Sequence, residues 1–222
     1  MIQFRNISKS FAIPGGHKVV ADNINMTVPT GAVVALLGRN GSGKSTLLEM
    51  IAGTVRPDTG SITSDGTISW PVGFGGSFHR DLTGAQNARF LARVYGVDTD
   101  ALVEFVEDFA ELGAHFHMPL RSYSAGMRSR LGFGLSMGIR FDTYLVDEVT
   151  SVGDASFKAK SRQVFNARMA ESGAFFVSHA TAQVRNFCDA AAILENGNLT
   201  YYEDLDEAIE QHKKNMGVTG DE

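Results

Sequence analysis

The sequence predicts an α/β protein with a parallel-sheet core, an antiparallel β segment on its N-terminal side and an inserted helical segment. Three observations predict it. An unbroken apolar run, Ala32 to Leu37 behind Gly31, leads into a glycine-rich loop and then into helical spacing from Lys44 to Ala52. A run that is apolar at every position suits a strand buried on both faces of a parallel sheet. Two more short apolar runs, Tyr144 to Val146 and Ala174 to Val177, are separated by helical pattern around Ser156 to Ala170, so strand and helix alternate. Between these halves, Asn87 to Ile139 is mostly helical in spacing.

Each element has a local reason. Ile2 to Val28 reads as short strands broken at Pro14-Gly15-Gly16, the pattern of an antiparallel flap. The helix from Lys44 ends at Gly53, a natural C-terminal cap. Arg56 to Trp70 reads as turn-linked strands, because Arg56-Pro57-Asp58-Thr59-Gly60 and Ser64-Asp65-Gly66 are strong turn sequences. The flap is therefore expected over about 1–30 and 55–75, and the helical insert over about 80–135. Breaks in the insert fall at Gly96-Val97-Asp98, at Gly113 and near Pro119. Ala190 to Leu194 and Leu199 to Tyr202 form a hairpin through Asn196-Gly197, and a last helix covers about Leu205 to Met216. Residues 1–222 read as one domain.

The composition narrows the function classes. With 43% hydrophobic and 20% charged residues, the chain can bury a sizeable core. A net charge of −5 with no basic block argues against a sequence-independent grip on nucleic acid. One cysteine, Cys188, allows no internal disulfide and suits a reducing compartment. The N-terminal residues lack an apolar signal core, and no stretch approaches the roughly 18 apolar residues of a spanning helix.

The loop Gly38-Arg39-Asn40-Gly41-Ser42-Gly43-Lys44-Ser45 matches G-x-x-x-x-G-K-[ST] and sits between a buried strand and a helix start, where the mechanism needs it. Glycines let successive N–H groups converge on phosphate oxygens, and the helix N-terminus adds positive potential. Lys44 then pairs with the β- and γ-phosphates of ATP, Ser45 ligates Mg²⁺, and Thr46 completes the cradle. Chance alone gives such a match in a chain of this size on the order of one percent of the time. Asp147 and Glu148 close the strand Tyr144 to Val146, the end at which a parallel sheet offers its ligand crevice. An acidic pair there is ordinarily a solvated strand end. Beside a phosphate loop it reads as Asp147 holding Mg²⁺ through its water shell and Glu148 polarising the attacking water. Ser124 stands in N-cap position before a helix that runs to about Ile139 and holds Gly126, Gly132, Gly134 and Gly138. Glycines cost about 1 kcal/mol each against alanine in a helix, so a close backbone approach is expected.

The order of phosphate loop, Ser124-Ala125-Gly126, Asp147-Glu148, Ser151-Val152-Gly153-Asp154 and Val177-Ser178-His179 resembles the ABC-type ATPase family over nearly the whole chain. The resemblance implies a RecA-like P-loop NTPase core in a homodimer that sandwiches two ATPs. It implies that Ser124 and Gly126 act in trans on the γ-phosphate, that Asp154 lies in the loop communicating across the dimer, and that His179 contacts the γ-phosphate and attacking water. Phe11 matches the aromatic that stacks on adenine. Two departures stand out. Ala125 and Met127 replace a glycine and a glutamine of the usual signature, and no glutamine occurs between Trp70 and Thr83 to form the family's glutamine loop, leaving its role to His79 or to backbone.

Trp70-Pro71-Val72-Gly73, Ser124 through Gly134 and Val146 through Asp154 closely resemble the ATPase subunit of bacterial capsular polysaccharide exporters. That resemblance implies two ATPase subunits with two copies of an integral membrane permease, which handles a lipid-linked polysaccharide, at the cytoplasmic face of the inner membrane. Related O-antigen exporters carry a further carbohydrate-binding domain, for which this chain is expected to be too short. Alternatives are an exporter of another surface glycan such as O-antigen or teichoic acid, a soluble ATPase acting on nucleic acid or ribosomes, and a nucleotide-binding regulator. Gly73-Phe74-Gly75-Gly76-Ser77-Phe78 offers two aromatic anchors, and with the insert up to about Tyr95 it is read as a groove for a membrane-subunit helix; the competing reading tucks both phenylalanines into the local core.

Overall fold

The computed structural model describes residues 1–73, 78–147, 155–178 and 180–217. These form two compact units, one of Met1–Pro71, Phe141–Glu148 and Glu171–Glu222, the other of Val72–Arg140 and Val149–Ala170.

The first unit holds two sheets. β1 (Ile2–Ile13) and β2 (Gly16–Val28) make the expected antiparallel hairpin, and β4 (Thr59–Ser64) pairs with the other edge of β1. The larger sheet has the order β5-β6-β7-β3-β8-β9, where β3 is Val33–Leu37, β5 is Ile68–Pro71, β6 is Thr143–Asp147, β7 is Gly173–Val177, β8 is Ala190–Glu195 and β9 is Asn198–Tyr202. Its pairings are parallel except for the β8–β9 hairpin. Every residue of β3 and β7 is buried, as their uniform apolarity requires. The β8–β9 turn uses Asn196 and Gly197 at φ 49° and 81°, the left-handed pair that a two-residue hairpin needs. α1 (Lys44–Ile51) buries Leu47, Leu48, Met50 and Ile51 in a cluster shared with Phe4 and Ile7 of β1 and with Leu36 and Phe175 of the parallel sheet. The Phe4 and Phe175 rings meet edge to face at 6.2 Å. α6 (Thr181–Phe187) and α7 (Leu205–Met216) complete the unit.

One expectation is corrected in this unit, and one element was not foreseen. The flap was expected over 55–75, but β5 pairs in parallel with β6 inside the larger sheet, so the flap ends with β4 at Ser64. The turn at Ser64-Asp65-Gly66 carries the chain from one sheet to the other instead of within one. α6 went unnoticed because it has only seven residues, and Ala180 at its N-cap supplies no side-chain hydrogen bond.

The second unit is helical. α2 (Gly84–Tyr95) begins with a full capping box between Thr83 and Gln86 and ends at Gly96, α3 (Thr99–Ala110) is capped by Asp98, and α4 (Ala125–Gly138) is capped by Ser124, whose hydroxyl accepts from the Met127 N–H at 3.2 Å. α5 (Ala155–Met169) also clusters with these helices, so the unit extends beyond the expected insert of 80–135. Phe109 is its centre, stacked on Phe105 at 5.7 Å and Phe133 at 5.8 Å and edge-on to Phe157 at 5.2 Å. The glycines of α4 have a packing reason. A β-carbon on Gly138 would lie 2.6 Å from Leu102 and one on Gly134 would lie 3.0 Å from Phe109, both of α3, while one on Gly132 would meet the Gly73 carbonyl oxygen at 3.3 Å and Phe78 at 3.4 Å. Phe78 is buried, so it serves this core and is no exposed anchor; Phe74 lies outside the described residues.

β1 is bulged between Phe4 and Ser10, and Gly60 faces that bulge with φ +82°. A β-carbon there would stand 2.2 Å from the Arg5 carbonyl oxygen and 2.3 Å from that of Asn6, whereas Gly53, at a similar φ of +74°, has open space around it. Gly60→Ala is therefore expected to destabilise the protein by at least about 2 kcal/mol and Gly53→Ala by about 1 kcal/mol. Urea denaturation of the two variants checks this; equal midpoints would mean that the backbone contact carries no weight.

Candidate nucleotide site

The phosphate loop forms where β3 stops and α1 starts, at the carboxyl edge of the parallel sheet. Gly38, Gly41 and Gly43 have φ of 152°, 78° and 110°, values that side-chain-bearing residues rarely adopt. Space is as restrictive as torsion: a β-carbon on Gly38 would lie 2.5 Å from the Leu194 carbonyl oxygen, and one on Gly43 would lie 2.3 Å from Val20. The loop is thus clamped from one side by β8 and from the other by β2. Within it, the Ser42 N–H donates to the Arg39 carbonyl at 3.0 Å, and the Lys44 ammonium donates to the Gly38 and Arg39 carbonyls at 2.8 and 3.2 Å. These bonds hold the charge inside the curl of the loop.

A cleft of about 570 Å³ opens over this loop. That volume is in the range of small-molecule and cofactor sites. Its walls are Asn40, Gly41, Gly43, Lys44, Ser45 and Thr46 of the loop and α1, Asp147 at the end of β6, Val177 at the end of β7, and Phe11, Lys18 and Val20 from the flap. The sequence-predicted residues Phe11, Asn40, Gly41, Gly43, Lys44, Ser45, Thr46 and Asp147 therefore come together around one space. Gly38 lines a second, smaller cavity of about 150 Å³ with Lys44, Ser178 and residues of α6 and α7. Lys18, Val20 and Val177 were missed. The pairing that brings Lys18 in, opposite Phe11 across the β1–β2 turn, was available from the hairpin itself.

The cleft suits a polyphosphate. The Ser42 hydroxyl is buried and has no hydrogen-bond partner among the described residues, which leaves a donor for an anionic oxygen. The Lys44 ammonium, the loop N–H groups and the start of α1 add positive potential. The Ser45 hydroxyl and Asp147 carboxylate share the cleft, and both are hard oxygen donors of the kind that Mg²⁺ takes. Phe11 is 41% exposed, and Lys9 holds its ammonium 5.2 Å from the ring centroid. Lys9 is itself paired with Asp58 at 2.7 Å, and the Ser10 N–H donates to the same carboxylate at 2.8 Å. The Lys9 hydrogen bond and then the Ser10 N–H hold the Asp58 carboxyl below the usual carboxylate range. This bridge ties the strand carrying Phe11 to the start of β4.

Glu148, Asp154 and His179 lie outside the described residues. Ser124 and Gly126 stand at the exposed start of α4, in the second unit. Cys188 is buried after α6, where burial, reinforced by the neighbouring Asp189 charge, pushes its thiol up to about 12, so it packs and does not react. No group of three or more metal-ligating side chains occurs among the described residues, and no described helix is long and apolar enough to cross a membrane.

A family model described as ABC transporter matches residues 21–151, from β2 through the phosphate loop and α4 to just beyond β6. The polysialic acid transport ATP-binding protein KpsT of Escherichia coli is 50% identical over 216 residues, covering 96% of each chain. The capsule polysaccharide export ATP-binding protein CtrD of Neisseria meningitidis serogroup B is 40% identical over 212 residues, covering 96% of this chain and 98% of its own. A dimeric ATP-binding cassette solved in a post-hydrolysis state with ADP and Pi superimposes with a TM-score of 0.74 at 20% identity, covering 92% of this chain and 99% of its own, and so shares the fold. A family match that spans β3, the phosphate loop, α1 and β6, joined to near full-length relatives, places the chain in the ABC transporter family, as an ATPase subunit.

Proposed function

We propose that this protein hydrolyses ATP in the cleft above Gly38–Thr46 and couples that hydrolysis to export of a lipid-linked capsular polysaccharide. The observation that carries the reading is the convergence of Lys44, Ser45 and Asp147 on one cleft whose loop cannot be built without glycine. The polysaccharide comes from the likeness to KpsT and CtrD and from no residue of the cleft.

Lys44 and the loop N–H groups bind the β- and γ-phosphates, with Arg39, Asn40 and Ser42 completing the curl; Ser45 and Asp147 would hold Mg²⁺. Bound there, Mg²⁺ would neutralise charge on the phosphate oxygens. Glu148 follows Asp147 directly and takes the proton of the attacking water, and His179 orients that water against the γ-phosphate. Phe11 stacks on adenine with the ring face that Lys9 leaves. A second copy of the chain supplies Ser124 and Gly126, capping the γ-phosphate with the start of its α4, and Asp154 communicates between the copies. Two such chains work with two copies of an integral membrane permease at the cytoplasmic face of the inner membrane. Nucleic acid is not a partner: the net charge is −5 and no basic block is present.

The permease docks on α2. Phe90 and Val94 are 57% and 59% exposed one helical turn apart, with Tyr95 40% exposed beside them, an apolar stripe that Phe78, being buried, cannot provide.

Three variants test these assignments. Glu148→Gln is expected to bind ATP normally, accumulate ATP-dependent dimers and hydrolyse at least about 10²-fold more slowly, because the general base is gone. Parent-rate hydrolysis in that variant would remove Glu148 from the mechanism. Lys44→Ala is expected instead to weaken nucleotide binding itself, measured by titration calorimetry. In cells, Phe90→Asp combined with Val94→Asp should abolish surface polysaccharide while the purified subunit still binds ATP; normal export would place the permease elsewhere.

A further inference from the structure

We infer that Lys18 is a nucleotide-binding residue whose ammonium contacts the α-phosphate from the flap, outside the phosphate-loop motif. The inference rests on the reading of the cleft as the ATP site.

Lys18 lies on β2 directly opposite Phe11 on β1. Directly opposed residues of an antiparallel pair stand on one face, as do residues two apart on one strand, so Phe11, Lys18 and Val20 present together to the cleft that they line. Lys18 also reaches the loop: a β-carbon on Gly41 would lie 3.7 Å from its ammonium nitrogen. The charge therefore stands between the aromatic platform and the phosphate cradle. In an extended nucleotide laid from Phe11 to Lys44, with the base on the ring and the β- and γ-phosphates in the loop, the groups that fall between are the ribose and the α-phosphate. Only the second is an anion.

Charge pairing separates this lysine from its neighbour. Lys9 also lies beside Phe11, but it is bound to Asp58 at 2.7 Å and its side chain is only 15% exposed, so its charge is already matched within the flap. Lys18 has no hydrogen-bonding or ion-pairing partner among the described residues. An ammonium left unmatched at the rim of an anion-binding loop gains most when a phosphate oxygen arrives, and as a compact point charge on a flexible stem it tolerates small changes in ligand pose. Such a contact serves ATP and ADP alike, because both keep the α-phosphate.

Calorimetric titration of the full chain with ADP and with a non-hydrolysable ATP analogue, both with Mg²⁺, tests this in the parent, Lys18→Ala, Lys18→Arg and Lys44→Ala. Lys18→Ala is expected to weaken both ligands by the same factor, about tenfold, and Lys18→Arg to retain most of the affinity. Lys18 is exposed on the flap, so circular dichroism should show both variants folded. If Lys18→Ala binds like the parent while Lys44→Ala is impaired, the inference fails and the cleft stands as the nucleotide site. A loss confined to the ATP analogue would overturn the α-phosphate assignment by moving the charge to the γ-phosphate. If Lys44→Ala also binds like the parent, the cleft itself is not the nucleotide site and the inference falls with it.

Discussion

The structure depends on one constraint: the backbone between β3 and α1 must curl tightly enough to aim its N–H groups at an anion, and it must do so while packed on two sides. The curl needs positive φ at Gly38, Gly41 and Gly43. The packing leaves no room for a β-carbon at Gly38, against Leu194, or at Gly43, against Val20. Torsional freedom and steric exclusion therefore select glycine independently. β8 and β2 belong to different sheets, so both sheets have to be in place for the loop to be held. The shared core of Phe4, Ile7, Leu36, Leu47, Leu48 and Phe175 is what keeps them there. Site formation and core formation are in this sense one event.

The same arrangement explains why the charge of Lys44 is useful. Its ammonium is bonded to the Gly38 and Arg39 carbonyls, so it is ordered by the loop that it serves. An ordered side chain loses little further entropy when it binds, and neutral carbonyl acceptors bind an ammonium less strongly than phosphate oxygens do. The flap contributes differently. Lys9, Ser10 and Asp58 lock the strand that carries Phe11, and the β1–β2 pairing then places Lys18 next to that ring. Rigid backbone positions the ring and the charge, while the lysine stem keeps its freedom.

What could be read from the sequence divides along contact range. The strand–loop–helix at Ala32 to Ala52, the β8–β9 hairpin and the cap at Ser124 rest on interactions within a few residues, and all formed as the residue types dictate. β5 was assigned to the flap because its turn residues are local, while its partner β6 lies about seventy residues on, with Ile68 opposite Thr143. The glycine-rich loop left Phe78 open between an exposed anchor and a core residue; it is buried, close to Gly132 of α4, a neighbour far along the chain that no local pattern announces. The cleft was half legible in the same way. The motif supplies Lys44 and Ser45, and the strand end supplies Asp147, yet Lys18 and Val20 enter only through the register of a hairpin.

α4 shows how a helix that breaks the usual composition rules can still be well determined. Four glycines in fourteen residues weaken it intrinsically. Burial compensates: every residue from Leu131 to Met137 is buried, and the absent side chains at Gly134 and Gly138 let α3 approach closely enough for Phe105, Phe109 and Phe133 to stack. The first turn is the opposite, with Ser124, Ala125 and Gly126 exposed. A helix fixed along one end and open at the other presents its leading N–H groups with little motion, and those groups have no partner within the helix. Ser124 satisfies the Met127 N–H, while a β-carbon on Gly126 would meet nothing closer than the Ser124 hydroxyl at 3.9 Å, which leaves room for a ligand to come against the backbone. Free N–H groups at such an end favour an approaching anion. The glycines inside the helix and the glycine at its head therefore have separate causes: the first admit a neighbouring helix, and the second keeps an approach clear.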